Sequence, residues 1–386
     1  MNTSLAVGTS PRISIPVIAL TLYAVASGYL MSLIPLMLPV YGLDSSMANW
    51  LASAFYVGHF LGALCMEKFV HKAGHRNAFM ACLTVLMVSS LALPWVVNDI
   101  AWLCFRFVAG IAVAGVFVVV ESWLLHGDEK GRAKRLGIYM VSLYGGTAFG
   151  QLGIASIGVD GLAPFIAIGT LLLIATYILR FSKGAQPSVG SGTSLSLRQI
   201  SKLSHPAIIG CLVSGLATGA IYGLMPLELQ QRGISHTDLG TLMAIVILGA
   251  MAIQPIVPWL SHIMGRTLLM ALLCLLGAAA AIVSMMVPDL ATLTICLFMV
   301  GVSTFALYPI AINLACANLD SSYIVSATQA MLFSYSVGSV LGPIAADWFM
   351  QGHQGVMAYL FITLMATCVY MLMSSVRTKH QWVAGK

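Results

Sequence analysis

Hydrophobic positions in this chain run on rather than alternating with polar ones. Apolar stretches of about 20 residues, the length a helix needs to cross a hydrocarbon core, lie between short polar breaks at roughly 14–40, 48–66, 77–97, 100–125, 135–158, 161–181, 206–228, 238–260, 267–287, 290–316, 323–349 and 355–376. The pattern predicts twelve transmembrane helices. Hydrocarbon offers no partner to an unpaired backbone group, so an all-α integral membrane protein is expected. The ten-residue alternation of a membrane β-barrel is absent.

The spans repeat. "IPLMLPVYGLDSS" from Ile34 matches "MPLELQQRGISHT" from Met225, pairing Pro35 with Pro226, Leu36 with Leu227 and Gly42 with Gly233, each 191 positions on (226 minus 35). The same shift pairs Leu51 with Leu242, Gly58 with Gly249, His71 with His262 and Gly74 with Gly265, without a gap. Two pseudo-symmetric six-helix bundles are therefore expected, residues 1–181 and 206–386, related by an axis along the membrane normal and enclosing a cavity. The join at 182–205 is rich in Gly, Ser and Pro and reads as a flexible linker.

Composition agrees: 59% of residues are hydrophobic, 8% are charged, and the mean hydropathy is +0.95. Charge then sets orientation. Sixteen of the 18 Lys and Arg fall at the termini or in loops on one side, leaving only Arg232 opposite and Arg106 inside a span. Both termini are expected to be cytoplasmic, and the net +6 reflects topology rather than affinity for nucleic acid. Trp50, Trp95, Trp102, Trp123, Trp259 and Trp348 lie near span ends, where an interfacial position is expected. The eight cysteines form no Cys-x-x-Cys pair and read as free thiols. The densest charge cluster, "EKFVHKAGHR" at Glu67–Arg76, is the turn between spans two and three. Its His71 and His75 have i,i+4 spacing, but Lys72 and Arg76 repel cations, so no metal site is expected.

With its twelve spans and 6+6 repeat, the chain resembles the major facilitator superfamily, and its YcaD-type branch in particular. The residues that carry the likeness are "GALCMEKFVHKAGHRNAF" at Gly62, "VVVESWLL" at Val118, "GRAKRLGIYMVSLYGGTAFGQ" at Gly131, "LYPIAINLA" at Leu307 and "SYSVGSVLGP" at Ser334. The resemblance implies a multi-pass transporter in the plasma membrane, here a bacterial inner membrane, working as a monomer on a small-molecule substrate in the lipid bilayer. The chain departs from the family pattern in places. His71 and His262 stand where an Asp of the signature turns is usual, leaving a pH-dependent gating latch or a plain interfacial His as readings. Gly137, Gly146 and Gly150 match an antiporter-associated motif, but Gln151 replaces its Pro.

An ionisable group inside a membrane is costly and marks function by default. Arg106 occupies the position of the family's span-four Arg, which the resemblance links to proton coupling, although Ala109 replaces the usual Gln. Glu121 follows on the same helix, about 60° around and about 22 Å along it. Together they are the expected proton-coupling pair, with Glu121 as a buried proton-binding acid; fixing helix packing is the plainer alternative. Glu228, at the outer end of span seven, is expected to meet water and to gate. His59, Tyr144, Gln151, Asn313, Gln329 and Tyr335 are the candidate substrate-lining residues, with interhelical packing as the competing explanation; Tyr144 with Gln151, and Thr328 with Tyr335, are seven apart and should share faces. Tyr23 and Ser27 form a further polar pair on span one.

No phosphate-binding loop, zinc helix or nucleophile elbow occurs, so neither an enzyme nor a cofactor is expected. The expected function is proton-coupled secondary transport of a small organic molecule by alternating access, with the partial antiporter motif pointing to export. The alternatives are uptake of a small organic anion held by Arg106, and a non-transporting membrane sensor or assembly factor on the same scaffold.

Overall fold

A computed structural model describes residues 14–125, 135, 137–181, 204–287, 289–317 and 321–384. Most of the interbundle linker, 182–203, lies outside the described residues, as do Lys130, Arg132 and Lys134. Among the described residues there is no strand. Long apolar runs with few helix breakers satisfy their backbone groups locally, giving α1 (Ser14–Met37), α2 (Met47–Ala73), α3 (His75–Ala92), α4 (Asp99–Leu125), α5 (Gly146–Gln151), α6 (Gly153–Ser156), α7 (Ala163–Leu179), α8 (His205–Gln231), α9 (His236–Ile253), α10 (Ile256–Ile263), α11 (Arg266–Met286), α12 (Leu290–Cys316), α13 (Ser321–Gln351) and α14 (Gly355–Ala384). Within them, α1, α4, α8, α9, α11, α12 and α14 contain stretches long and apolar enough to cross a membrane.

Two expected spans are interrupted. The fifth opens into a π-helical turn at Val141–Gly145 before continuing as α5 and α6. The eighth is divided between α9 and α10 at Gln254 and Pro255, where Pro lacks the N–H that would continue the ladder. Sharp turns use residue chemistry that the sequence supplies. Gly74 joins α2 to α3 with φ +77 and ψ 154, a conformation open almost only to Gly. Its repeat counterpart Gly265 adopts an ordinary φ of −60. Asp289 caps α12 by accepting the Thr292 N–H at 2.7 Å, and that bond holds its carboxyl below the usual carboxylate range.

Packing follows the repeat. The pairs α2 with α4, α3 with α4, α3 with α7, α1 with α5 and α1 with α7 recur as α9 with α12, α11 with α12, α11 with α14, α8 with α13 and α8 with α14. Two pairs of close backbone approaches obey the same 191-residue offset. A side chain at Gly58 would strike the Phe107 carbonyl and one at Gly110 the Phe55 carbonyl; at Gly249 and Gly301 it would strike the carbonyls of Phe298 and Val246. Between the two sets of helices, α1 meets α8, α2 meets α8 and α13, and α5 and α6 meet α9.

Not every Trp sits where expected. Trp50, Trp95, Trp259 and Trp348 are exposed, but Trp102 and Trp123 are buried. The Trp102 indole N–H donates to the Leu93 carbonyl at 3.1 Å, and the Trp123 ring lies 6.0 Å from that of His75. Each has found a partner inside the helix packing, which removes the reason for an interfacial position. All eight cysteines are free, with Cys65 and Cys104 exposed.

The Gly58 contact is a direct test of this packing. Gly58→Leu should destabilise the protein by about 3 kcal/mol or more, since overpacking against backbone cannot relax cheaply, and should lower the unfolding temperature in detergent. Gly137→Ala, where an added Cβ meets nothing, should leave that temperature unchanged; equal effects of the two would refute the close-approach account.

Candidate functional site

The helices that meet between the two halves are the natural place for a site, because their polar groups face protein rather than lipid. Here "terminal end" denotes the end where α1 begins, and "distal end" the opposite one. At the distal end the halves are fastened. Asn49, near the start of α2, donates its amide to Asp347 near the end of α13 at 3.0 Å, and Gln351 donates to the same carboxylate oxygen at 2.6 Å. One turn deeper, the Ser53 hydroxyl donates to the Val340 carbonyl at 2.8 Å. Asn49, Ser53 and Asp347 are all buried. A Cβ on Gly223 of α8 would press on Ala52, and one on Gly240 of α9 on the Gln151 carbonyl, so backbones as well as side chains close this end.

Toward the middle the contacts become aromatic. Phe305 of α12 stacks edge-on with both Tyr222 of α8, at 5.5 Å, and Tyr144 of the π turn, at 6.3 Å, linking the two halves through rings. Phe60 and Phe333 meet across the seam at 5.3 Å. Nearer the terminal end, Phe333, Glu121 and Asn313 are exposed. Every hydrogen bond found between the halves among the described residues lies distal to these groups.

Arg106 is buried on α4, 7% exposed, with its guanidinium carbon 4.5 Å from the centroid of the Phe55 ring. Its Nε has no hydrogen-bond partner among the described residues. It borders a small cavity of 20 Å³ walled by Met31, Ile34 and Pro35 of α1, Ala48, Ala52, Phe55 and Tyr56 of α2, and Tyr222 and Gly223 of α8. That volume holds about one water molecule.

Glu121 meets the expectation of burial only in part, being closely surrounded by protein yet accessible. It is exposed, and its carboxylate accepts a hydrogen bond from the Tyr139 hydroxyl at 3.2 Å. The acid that is intramembrane by sequence position therefore keeps an accessible face although protein surrounds it closely. Glu228 departs in the other sense. Expected to meet water, it is 4% exposed. One carboxylate oxygen pairs with Arg232 at 2.5 Å, and the other accepts the backbone N–H groups of Val356 and Met357 at the start of α14. An acid at a helix N-terminus satisfies otherwise orphaned donors and the helix dipole, so Glu228 is a joint between α8 and α14.

The lining candidates divide. His59 is half-buried between the rings of Phe55 and Phe117, at 6.3 and 5.9 Å. Tyr335 is half-buried and tilted against Tyr308 at 4.9 Å. Tyr144 faces Phe305 across the seam, but Gln151 is fully buried and accepts a hydrogen bond from Ser32 of α1 at 2.5 Å. The shared face expected for Tyr144 and Gln151 is lost because the π turn at Val141–Gly145 shifts the helical register between them. Gln329 lies on α13 with its side chain outside the described residues, and Thr328 is half-buried. Tyr23 is buried, 6.3 Å from Phe117, beside a half-buried Ser27. His71 and His262 are both exposed at the terminal end. Sequence reasoning missed Asn49, Tyr56, Tyr222 and Asp347. Asp347 was findable, since it is an acid within a predicted span and falls under the rule that selected Glu121.

A family model described as Major Facilitator Superfamily matches residues 17–343. The chain is 29% identical over 360 residues to an uncharacterized MFS-type transporter of Enterobacter sp. strain 638, covering 92% of each chain. It is 29% identical over 372 residues to the uncharacterized MFS-type transporter YcaD of Escherichia fergusonii, covering 94% of each. Among solved structures, a bacterial homolog of the human lysosomal transporter Spinster, inward-facing and occupied, superimposes with a TM-score of 0.72 at 15% identity over 94% of both chains.

The distal fastening makes a measurable prediction. Asp347→Ala strands the amide donors of Asn49 and Gln351, a loss of about 1–3 kcal/mol in the closed arrangement. In a background lacking Cys65 and Cys104, a cysteine from Ala52→Cys should then react with an impermeant maleimide at least about fivefold faster. An unchanged rate would show that Asp347 does not hold the seam.

Proposed function

The chain belongs to the Major Facilitator Superfamily, and from that premise we propose that it is a secondary active transporter of a small organic molecule, coupled to protons and working by alternating access. Membership itself places it among multi-pass membrane transporters rather than enzymes. The finer reading is of twelve crossings in two bundles, residues 1–181 and 206–386 joined by the linker at 182–205, with both termini cytoplasmic in a bacterial inner membrane. The positive charges support this orientation. In that orientation the distal end faces outward, and the arrangement described is closed to the outside and parted toward the cytoplasm.

The observation that carries the reading is the polarised seam. Buried polar and backbone contacts through Asn49, Ser53 and Asp347 fasten one end only, while Glu121 is exposed toward the other. A purely structural bundle has no reason to be sealed at one end by groups that are costly to bury. A carrier needs such a seal, because rocking one half on the other must break it and form another on the opposite side.

Within this scheme Glu121 exchanges protons with the cytoplasm, and Arg106 is the fixed charge in the distal half of α4, beside the small cavity. Tyr139 holds the Glu121 carboxylate in place through its hydroxyl. The tie between Glu228 and α14 keeps the second half together during the motion.

Proteoliposomes with an internal pH dye test the proposal. A substrate found by screening for thermal stabilisation should drive proton movement in the wild-type protein. Glu121→Gln should reduce that movement by about 100-fold, the lower range of what a positioned proton-transfer group contributes, while substrate still binds. If no ligand elicits flux and Glu121→Gln behaves as wild type, the sensor or assembly reading replaces this one.

A further inference from the structure

Arg106, seven residues into α4 from its distal start, has no counter-charge among the described residues. Among the described residues Glu228 and Arg232 make the one ion pair found, inside the second half. Asp347 is taken by Asn49 and Gln351. Glu121 is bonded to Tyr139 and sits 15 residues further along α4, about 22 Å from Arg106. A guanidinium in low dielectric without an anion is expensive. It remains charged there only where water or an anion reaches it, and the cavity beside it holds about one water.

The geometry around Arg106 narrows what the anion is. Phe55 covers one face of the guanidinium, and on its edge Nε is buried without a partner, leaving one donor of that edge unpaired. That edge is a planar fork that matches a carboxylate through two parallel N–H bonds. The remaining walls near it offer little polarity: Tyr56 and Tyr222 line the cavity, and from Tyr222 a continuous row of rings runs through Phe305 to Tyr144 across the two halves. Stacked and edge-on rings favour a flat, apolar body.

We infer that the transported substrate is an aromatic monocarboxylate whose carboxylate pairs with Arg106 while its ring inserts along Tyr222, Phe305 and Tyr144. This deepens the transport reading of the same site and rests on it for the role of binding. The ligand carboxylate takes the position of the single water, and its ring parts the aromatic contacts that now close the seam. Such a ligand supplies the missing negative charge and replaces ring contacts in kind, so it need not desolvate further polar protein groups.

The test is equilibrium binding to the full chain in lipid nanodiscs, read by calorimetry. The probes are 2-naphthoate, cyclohexanecarboxylate, 2-naphthylmethylammonium and inorganic phosphate. We expect 2-naphthoate to bind, cyclohexanecarboxylate to bind about 2- to 10-fold more weakly for lack of ring contacts, and the ammonium and phosphate not to compete. Arg106→Gln should weaken 2-naphthoate by roughly 30-fold or more, and Phe55→Leu, which keeps the charge, by about 2- to 10-fold. Competition by the ammonium, binding of phosphate alone, or equal affinity in a folded Arg106→Gln variant would overturn the inference. Should that variant not fold, the charge selectivity of the wild type and the Phe55→Leu effect decide it. Proton flux with a non-aromatic or cationic solute, without naphthoate binding, would sink this inference and leave the transport reading standing. Naphthoate binding without flux would overturn the transport reading and leave only the assignment of the site as a binding site for an aromatic carboxylate.

Discussion

In a bilayer, lipid tails are as apolar as the helices they surround, so burial alone does not draw helices together. What does so here is backbone contact made possible by glycine. Gly58 and Gly110 place α2 and α4 so close that either Cβ would strike a carbonyl of the other helix. Gly249 and Gly301 do the same for α9 and α12 at the same offset. These contacts are broad, apolar and free of charge, so each half behaves as one block. The seam between the blocks is different in kind. It is held by a few polar bonds and a row of rings, which can be exchanged for others at modest cost.

That contrast explains where the charges are. An ionised group in a block must be paired, as Glu228 is with Arg232 and the start of α14. A charge at the seam can remain without a protein partner when solvent or ligand completes it in turn. Arg106 has a buried Nε without a protein partner, and Glu121 keeps an accessible face. Asp347 is intermediate: fully partnered now, but across the seam, so that its bonds last only as long as this closure.

Much of this was legible from residues alone. The 191-residue repeat paired Gly58 with Gly249, and both mediate close backbone approaches, whereas its pairs Gly42 with Gly233 and Gly74 with Gly265 lie in turns. Hydropathy found the all-helical fold and, among the described residues, the seven helices long and apolar enough to cross a membrane, because bilayer thickness fixes their length. The environment of individual acids was not legible. Glu121 and Glu228 occupy similar positions near helix ends, yet one is exposed and the other buried. The difference depends on α14, whose first N–H groups reach Glu228 from more than a hundred residues away. Likewise Tyr144 and Gln151 part company because a five-residue π turn shifts the register, and nothing in local spacing announces it.

The tie from Glu228 to α14 has a mechanical consequence. Because one side chain clamps the end of α8 to the beginning of α14, and Arg232 of the same helix end also donates to the Ser284 carbonyl of α11 at 3.2 Å, three helices share a single knot at the distal rim. Torque applied to any of them is felt by the other two, so this rim turns as a stiff collar, and bending must be taken up elsewhere along the chain.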